Sequence, residues 1–189
     1  LFRSVGENPK RVYQDSRIKT RMNIAALLRE TLAKTKEYIA KKEAANNDPL
    51  KMPSYDMKLE AMIPVVKKEL PLKCHAHRAD DILTVIRIAK EFDVNVTLDH
   101  CTDGEVIKAQ VKASGYPAIV GPSLTHKSKF ELANKSFTTP GVLCREGILI
   151  AITTDSPVVP QEYLPLCAAL AMKDGLPEEE ALKAIKIGR

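Results

Sequence analysis

Two kinds of hydrophobic spacing divide the chain near residue 70. Before that point, apolar residues recur at the helical period, which predicts amphipathic helices over 20–45 and 57–69. After it, short apolar runs alternate with helical stretches. The predicted strands are 72–74, 94–99, 117–120 and 148–153. The predicted helices between and after them are 80–92, 103–113, 162–173 and 177–186. The remaining long segments, 1–19 with a turn signal at 6–11 and 121–146, are predicted to be loops.

Short apolar strands that alternate with amphipathic helices predict an α/β fold with a parallel sheet covered by helices. Four such units amount to half of an eight-stranded (β/α) barrel. An open doubly wound sheet would fit as well, although no glycine-rich phosphate loop follows any strand. With 189 residues and 44% hydrophobic content, we expect one domain. Residues 1–70 would supply helical entry segments to it, and 71–189 the βα units.

The composition indicates which classes of binding partner and which cellular compartment to expect. The net charge is +5, but Lys and Arg are dispersed among Asp and Glu, and no Trp is present. We therefore expect no nucleic-acid surface. No apolar run approaches the length of a membrane span, so no membrane partner is expected. The four cysteines form no CxxC pair, which predicts reduced thiols and a cytoplasmic protein.

Polar side chains with metal-binding chemistry follow three of the predicted strands. His75 and His77 follow the first strand, His100 follows the second, and Asp155 follows the strand at 148–153. The carboxyl ends of parallel strands meet at one edge of a sheet, where α/β folds build their sites. Imidazole and carboxylate are ligands that zinc accepts. The pattern predicts a divalent metal site, with zinc as the expected ion.

Each of these residues also has a simpler interpretation. The His75 and His77 pair alone would more often be a hydrogen-bonded polar pair than a metal site. Asp155 could be both ligand and base, passing a proton to a leaving nitrogen, or it could be a helix cap. Arg78 could hold a substrate carboxylate or could pair with a neighbouring Asp. His126 is expected to face solvent, and Asp99 could orient a neighbouring side chain.

Four segments of this sequence resemble the metal-dependent amidohydrolases, in particular their imidazolonepropionase-like and prolidase-like members. The segments are 73–82, 98–104, 119–123 and 153–157. The resemblance implies an eight-stranded (β/α) barrel with one or two divalent ions at its carboxyl end. By this resemblance His75 is the strand-five ligand, with His77 as second choice. His77 and Arg78 are the candidate substrate-binding residues. His100 corresponds to the strand-six ligand, and Asp155 to the strand-eight Asp.

Several features of that family have no counterpart here. The HxH pair of strand one and the small β-sandwich are missing, and no carboxylated Lys can be placed. We therefore expect a partial barrel, from about strand four or five to strand eight. Its parent would hydrolyse C–N bonds of small, non-peptide or cyclic amides by means of a metal-activated water. The alternative is a catalytically silent α/β module. Either would form a homo-oligomer through its open sheet edges.

Overall fold

Four parallel strands, each followed by at least one helix, form the centre of the computed structural model, which describes residues 4–12 and 18–186. The strands are β1 (Leu72–Ala76), β2 (Val96–His100), β3 (Ala118–Val120) and β4 (Ile150–Ile152). They lie side by side in chain order, β1-β2-β3-β4, and every pairing is parallel. The predicted α/β fold with the strand arrangement of a partial barrel is confirmed.

Eight α-helices and two 3-10 turns make up the rest of the described elements. The first three helices precede the sheet: α1 (Glu7–Val12), α2 (Arg21–Ala45) and α3 (Met57–Val66). Those that follow strands are α4 (Ala79–Phe92), α5 (Lys108–Ser114), α6 (Thr138–Arg145), α7 (Leu164–Lys173) and α8 (Glu178–Lys186). The 3-10 turns are Phe130–Leu132 and Gln161–Tyr163. Helix α2 packs against α3 and α4.

The two faces of the sheet differ in burial. Side chains on alternate strand positions, such as Cys74 and Leu98, are buried in the hydrophobic core that the strands share with the helices. Cys74 and Leu98 are also partners in the pairing of β1 with β2, so the buried side chains of the two strands lie side by side. The other face carries Lys73, Thr97 and Asp99, which are only partly buried or exposed. Alternation at period two therefore produces one apolar, covered face and one polar, open face.

Two helices lie where loops were predicted, and each has a proline in its first turn. Pro9 lies in the first turn of α1 and Pro140 in the first turn of α6. Proline is tolerated there because the first N–H groups of a helix have no intrahelical acceptor. Gly141 in α6 lies against the backbone of Gly175, where an added Cβ would be 2.8 Å from a carbonyl carbon. Close packing, rather than a turn, accounts for that glycine.

Smaller differences affect the strand ends. Strand β1 extends beyond the predicted end at Cys74, so His75 lies within the strand. Helix α5 begins at Lys108 rather than at residue 103, because 103–107 form turns. The segment before α1 lies along the outer edge of β1, where the Val5 N–H donates to the His75 carbonyl at 2.9 Å. Residues 1–3, 13–17 and 187–189 are not described, so the predicted loop over 1–19 falls partly outside the described residues.

Candidate metal centre

Three histidines come together at the carboxyl ends of β1 and β2. The ring centroids of His75 and His100 are 4.2 Å apart, and that of His77 lies 4.7 Å from each of them. One ring nitrogen from each residue can be chosen so that all three lie within 4.8 Å of one another. Among the described residues, this is the one group of three or more His, Cys, Asp or Glu side chains close enough to share an ion.

The strand register brings these histidines together across the sheet. Ala76 of β1 pairs with His100 of β2. The two neighbours of Ala76, His75 and His77, therefore lie on either side of the His100 position. Beyond β1, the His77 carbonyl accepts a hydrogen bond from the Asp103 N–H at 2.8 Å. His100 itself has a φ of 72°, and Cys101 a φ of 45°. Left-handed backbone at two successive non-glycine residues is strained and is typical of functional sites.

His100 is oriented by the backbone at the end of β3. Its Nδ1 lies 2.6 Å from the carbonyl oxygen of Gly121, which can only accept, so Nδ1 carries the proton. The Nε2 lone pair is then available to a cation, the usual arrangement of a metal-binding histidine. Gly121 has a φ of +127°, and a Cβ there would lie 2.2 Å from the Thr153 oxygen. The close approach of β3 and β4 at this point therefore requires glycine.

His77 is buried between polar partners. Its Nδ1 lies 2.8 Å from the Thr102 hydroxyl. Burial is the largest of the effects that lower the pKa of His77 to about 2, and the nearby His100, His75, Lys129 and Lys135 contribute to the same shift. The imidazole is therefore neutral at physiological pH, which is the form that can ligate a metal or exchange a hydrogen bond with a substrate.

His75 faces the amino-terminal segment of the chain. Its Nε2 lies 3.4 Å from Nδ2 of Asn8 in α1. The Asn8 carbonyl oxygen accepts a hydrogen bond from the Lys129 ammonium. Because the lysine can only donate, this contact directs the Asn8 amide nitrogen toward His75. A residue almost seventy positions earlier in the chain therefore orients the first histidine.

Asp155 lies in the wall of the same cavity but outside the three-histidine cluster. It follows β4, is exposed, and has a left-handed backbone with a φ of 51°. Its N–H donates to the Thr153 hydroxyl at 3.0 Å, and its carbonyl accepts from the Val158 N–H. The side chain lines the cavities that His75 and His100 also line. Its roles as metal ligand and base stay predictions.

Arg78 points away from the histidines. Its guanidinium forms two hydrogen bonds with the Asp80 carboxylate, at 2.9 and 3.1 Å, and lies 5.9 Å from the centre of the Phe130 ring. It is not among the residues that line the cavities at the histidines. Of the two roles that the sequence allowed, the structure contains the pairing with a neighbouring Asp. The substrate-binding role stays a prediction.

An open cavity of about 310 Å³ lies in front of the three histidines. Leu132, Pro122 and Val158 line it together with Asp155 and the three imidazoles. His126, as expected, is exposed; it lies at the edge of this cavity. A volume of this size suits a small organic molecule rather than a polymer.

Four residues at the site had no clear signal in the sequence: Asn8, Thr102, Lys129 and Glu131. Asn8 and Glu131 contact the histidine region from segments predicted to be loops, where no periodicity indicates direction. Thr102, two residues after His100, is the one whose position could have indicated a role. Asp99, which was expected to orient a neighbouring side chain, accepts a hydrogen bond from Thr97 at 2.7 Å and forms an ion pair with Lys73 at 3.5 Å.

The cysteines next to the histidines are buried free thiols. Burial raises the pKa of both Cys74 and Cys101 to about 12, with Asp99 and Asp103 adding to the respective shifts. A thiol with such a pKa is protonated at neutral pH and is a poor nucleophile. Both side chains belong to the packing beneath the site.

The chain matches about half of a known enzyme. No family model and no curated protein matches it. An amidohydrolase from Thermotoga maritima MSB8, known from its crystal structure, is 41% identical with a TM-score of 0.91. The match covers 96% of this chain and 48% of that enzyme. It supports an amidohydrolase family for this chain. The finding agrees with a hydrolase function in general terms and points to no particular subfamily.

The side chains of this amidohydrolase-like site fit a divalent ion. Three imidazoles converge, and the Gly121 carbonyl accepts a hydrogen bond from Nδ1 of His100, which leaves Nε2 on the side away from that contact. Nitrogen donors of this kind suit zinc and related ions. The neighbouring carboxylate of Asp155 could complete the set of ligands from the cavity wall.

None of the described helices is long and apolar enough to span a membrane.

Proposed function

We propose that this chain carries the metal-binding half of a hydrolase that cleaves C–N bonds in small, non-peptide or cyclic amides. The observation that supports this most directly is the cluster of three imidazoles at the ends of β1 and β2. The likeness to an amidohydrolase agrees with it. Because the chain spans about half the length of that enzyme, the activity proposed here is that of the whole protein.

In this proposal His75, His100 and Asp155 hold a zinc ion, with His77 as the second choice to His75. A bound divalent ion polarises an amide carbonyl and lowers the pKa of a water molecule toward neutrality. The protein groups do the rest. The Gly121 carbonyl keeps the proton of His100 on Nδ1. The Asp155 carboxylate takes the proton from the attacking water and delivers it to the leaving nitrogen.

The proposed substrate lies in the cavity in front of the histidines. Its apolar side chains would contact the body of a small amide, and His77 would donate or accept a hydrogen bond at the reacting end. A contact with Arg78 requires a substrate carboxylate that takes the place of Asp80, its present partner. Substrates with a carboxylate near the amide are therefore the first class to test.

Metal content tests the proposal on this chain. We expect near-stoichiometric zinc after dialysis against trace zinc, measured by plasma mass spectrometry, and its loss in His100→Ala. The matched control is His126→Ala, which removes the one histidine outside the cluster and should keep the ion. Absence of zinc from the unchanged chain, or equal zinc in both variants, would contradict the assignment.

A second candidate function is that of a self-associating module without activity, and the open sheet favours it. Strand β4 is an edge strand among the described residues, and the side chains of Lys73, Thr97 and Asp99 on one face of the sheet are only partly buried or exposed. Open edges and faces are sites of association. Metal content separates the two candidates, because the silent module predicts a homo-oligomer, detected by light scattering, that binds no zinc.

A further inference from the structure

Glu131, in the 3-10 turn Phe130–Leu132, is a buried acid next to the histidine cluster. Its side chain is 1% exposed. One carboxylate oxygen, Oε2, accepts a hydrogen bond from the Glu7 N–H at 3.0 Å and lies 4.0 Å from the Arg21 guanidinium. The other oxygen, Oε1, is one of two buried side-chain oxygens in the described ranges without a hydrogen-bond partner. A buried polar atom without a partner is costly, so its surroundings call for an explanation.

Oε1 faces two groups that can carry protons. His77 Nε2 lies 4.0 Å away, and the Lys129 ammonium lies 3.7 Å away. Lys129 also donates to Asn8, the residue that contacts His75. The opposite nitrogen of His77, Nδ1, is 2.8 Å from the Thr102 hydroxyl. The His77 ring is therefore held between a hydroxyl on one side and a carboxylate on the other.

We infer that Glu131 is a positioning residue that fixes the tautomer of His77, with the proton on Nε2 directed at Glu131 and the lone pair on Nδ1 directed at Thr102. An unprotonated Nε2 would place its lone pair against a carboxylate oxygen in a buried site, where two acceptors repel each other. The Thr102 hydroxyl can donate or accept, so it adapts to either tautomer. The Glu131 carboxylate can only accept a hydrogen bond, so it determines which nitrogen of His77 carries the proton.

This tautomer divides the three histidines by role. His77 has no lone pair directed away from its two partners, so it serves as a hydrogen-bond group rather than a metal ligand. His75 and His100 remain as the imidazole ligands. The division into ligands and a hydrogen-bond group rests on the proposed function, in which the histidine cluster binds a metal. The tautomer itself does not, since it is a property of the chain without metal.

Nitrogen NMR of the histidine side chains tests the inference directly, on the metal-free 189-residue chain at mildly alkaline pH. Protonated and unprotonated imidazole nitrogens have well separated shifts. We expect a single Nε2–H tautomer for His77 in the unchanged chain and a shift toward Nδ1–H in Glu131→Gln. The matched control is Asp81→Asn, which removes another buried carboxylate of the Arg21 network and should leave the His77 tautomer unchanged.

A second variant keeps the test decisive if Glu131→Gln does not fold. In Thr102→Val the hydroxyl is lost, and His77 should keep its Nε2–H tautomer because Glu131 still faces it. An Nδ1–H tautomer in the unchanged chain, or a tautomer that follows Thr102 rather than Glu131, overturns the inference. Zinc binding measured separately on the same samples reports on the proposed function, so failure of one is distinguishable from failure of the other.

Discussion

The rings of His75 and His100 lie 4.2 Å apart although 24 residues separate them in the chain. Helix α4 and the turns around it occupy that interval, and the parallel pairing of β1 with β2 closes the distance. The two residues belong to neighbouring strands of one βα unit, so the candidate metal centre depends on local topology.

Gly121→Ala should destabilise the fold and weaken zinc binding. A Cβ at this position meets the Thr153 oxygen at 2.2 Å, and the φ of +127° is strained for alanine. We expect a loss of about 2–3 kcal/mol in the free energy of unfolding, measured by urea denaturation. Gly147→Ala is the control, since its φ is also positive but no atom lies within 4 Å of the added Cβ. Equal losses in the two variants would argue against the close approach.

Acid should destabilise the metal-free chain through His77. Its pKa is about 2 in the fold, below its ordinary value of 6.5, so between these values the unfolded chain binds one more proton. Stability is therefore present above pH 6.5 and falls as the pH decreases, by about 1 kcal/mol between about pH 7 and pH 5.5. Denaturation at both pH values measures the loss. His77→Gln should show a smaller loss, and an unchanged pH slope would contradict the burial of His77.

Arg21→Ala should cost far more stability than Arg29→Ala. Arg21 forms two hydrogen bonds with Asp81, whose side chain is 3% exposed, and removal of the guanidinium leaves that carboxylate buried and unpaired. We expect a loss of about 3 kcal/mol for Arg21→Ala. Arg29 pairs with Glu91 at the surface, where water can replace it. Similar denaturation midpoints for the two variants would show that the buried pair contributes little.

One of the four cysteines should react quickly with a thiol reagent in the folded chain. Cys144 is partly exposed, whereas Cys74, Cys101 and Cys167 are buried. The pKa values of about 12 for Cys74 and Cys101 keep both as unreactive thiols at mildly alkaline pH. Mass spectrometry should show one rapid addition, absent in Cys144→Ser, and four additions after unfolding. Rapid modification at Cys101 would mean that the region next to His100 opens.

The sequence was most informative where hydrophobic spacing and strand ends coincide. The apolar runs before His75 and His100 predicted two adjacent strand ends, and the register places the two side chains together because the side-chain period of a strand is two. The strand at β4 predicted that Asp155 would lie at the same edge, and it lines the same cavity. The local pattern was sufficient for these residues because each lies at or just after the carboxyl end of a buried strand.

The sequence was least informative where a side chain reaches the site from a distant segment. Asn8 and Glu131 come from α1 and from a 3-10 turn, and their directions depend on tertiary packing that no local period records. The sequence could not show whether Arg78 pairs with a neighbouring Asp or is free to bind a substrate, because its distance to Asp80 depends on the geometry of the first turn of α4. The turn signal at 6–11 included Pro9, which lies in the first turn of α1, because Pro is compatible with either a loop or a first turn.

The pairing of Ala76 with His100 has a consequence for folding as well as for binding. A slip of one residue between β1 and β2 would move His100 by about 3.3 Å along the strand and reverse the faces of the shifted strand. The histidines would then no longer converge. Binding of a spectroscopically active ion such as cobalt at this cluster would therefore report correct strand registration.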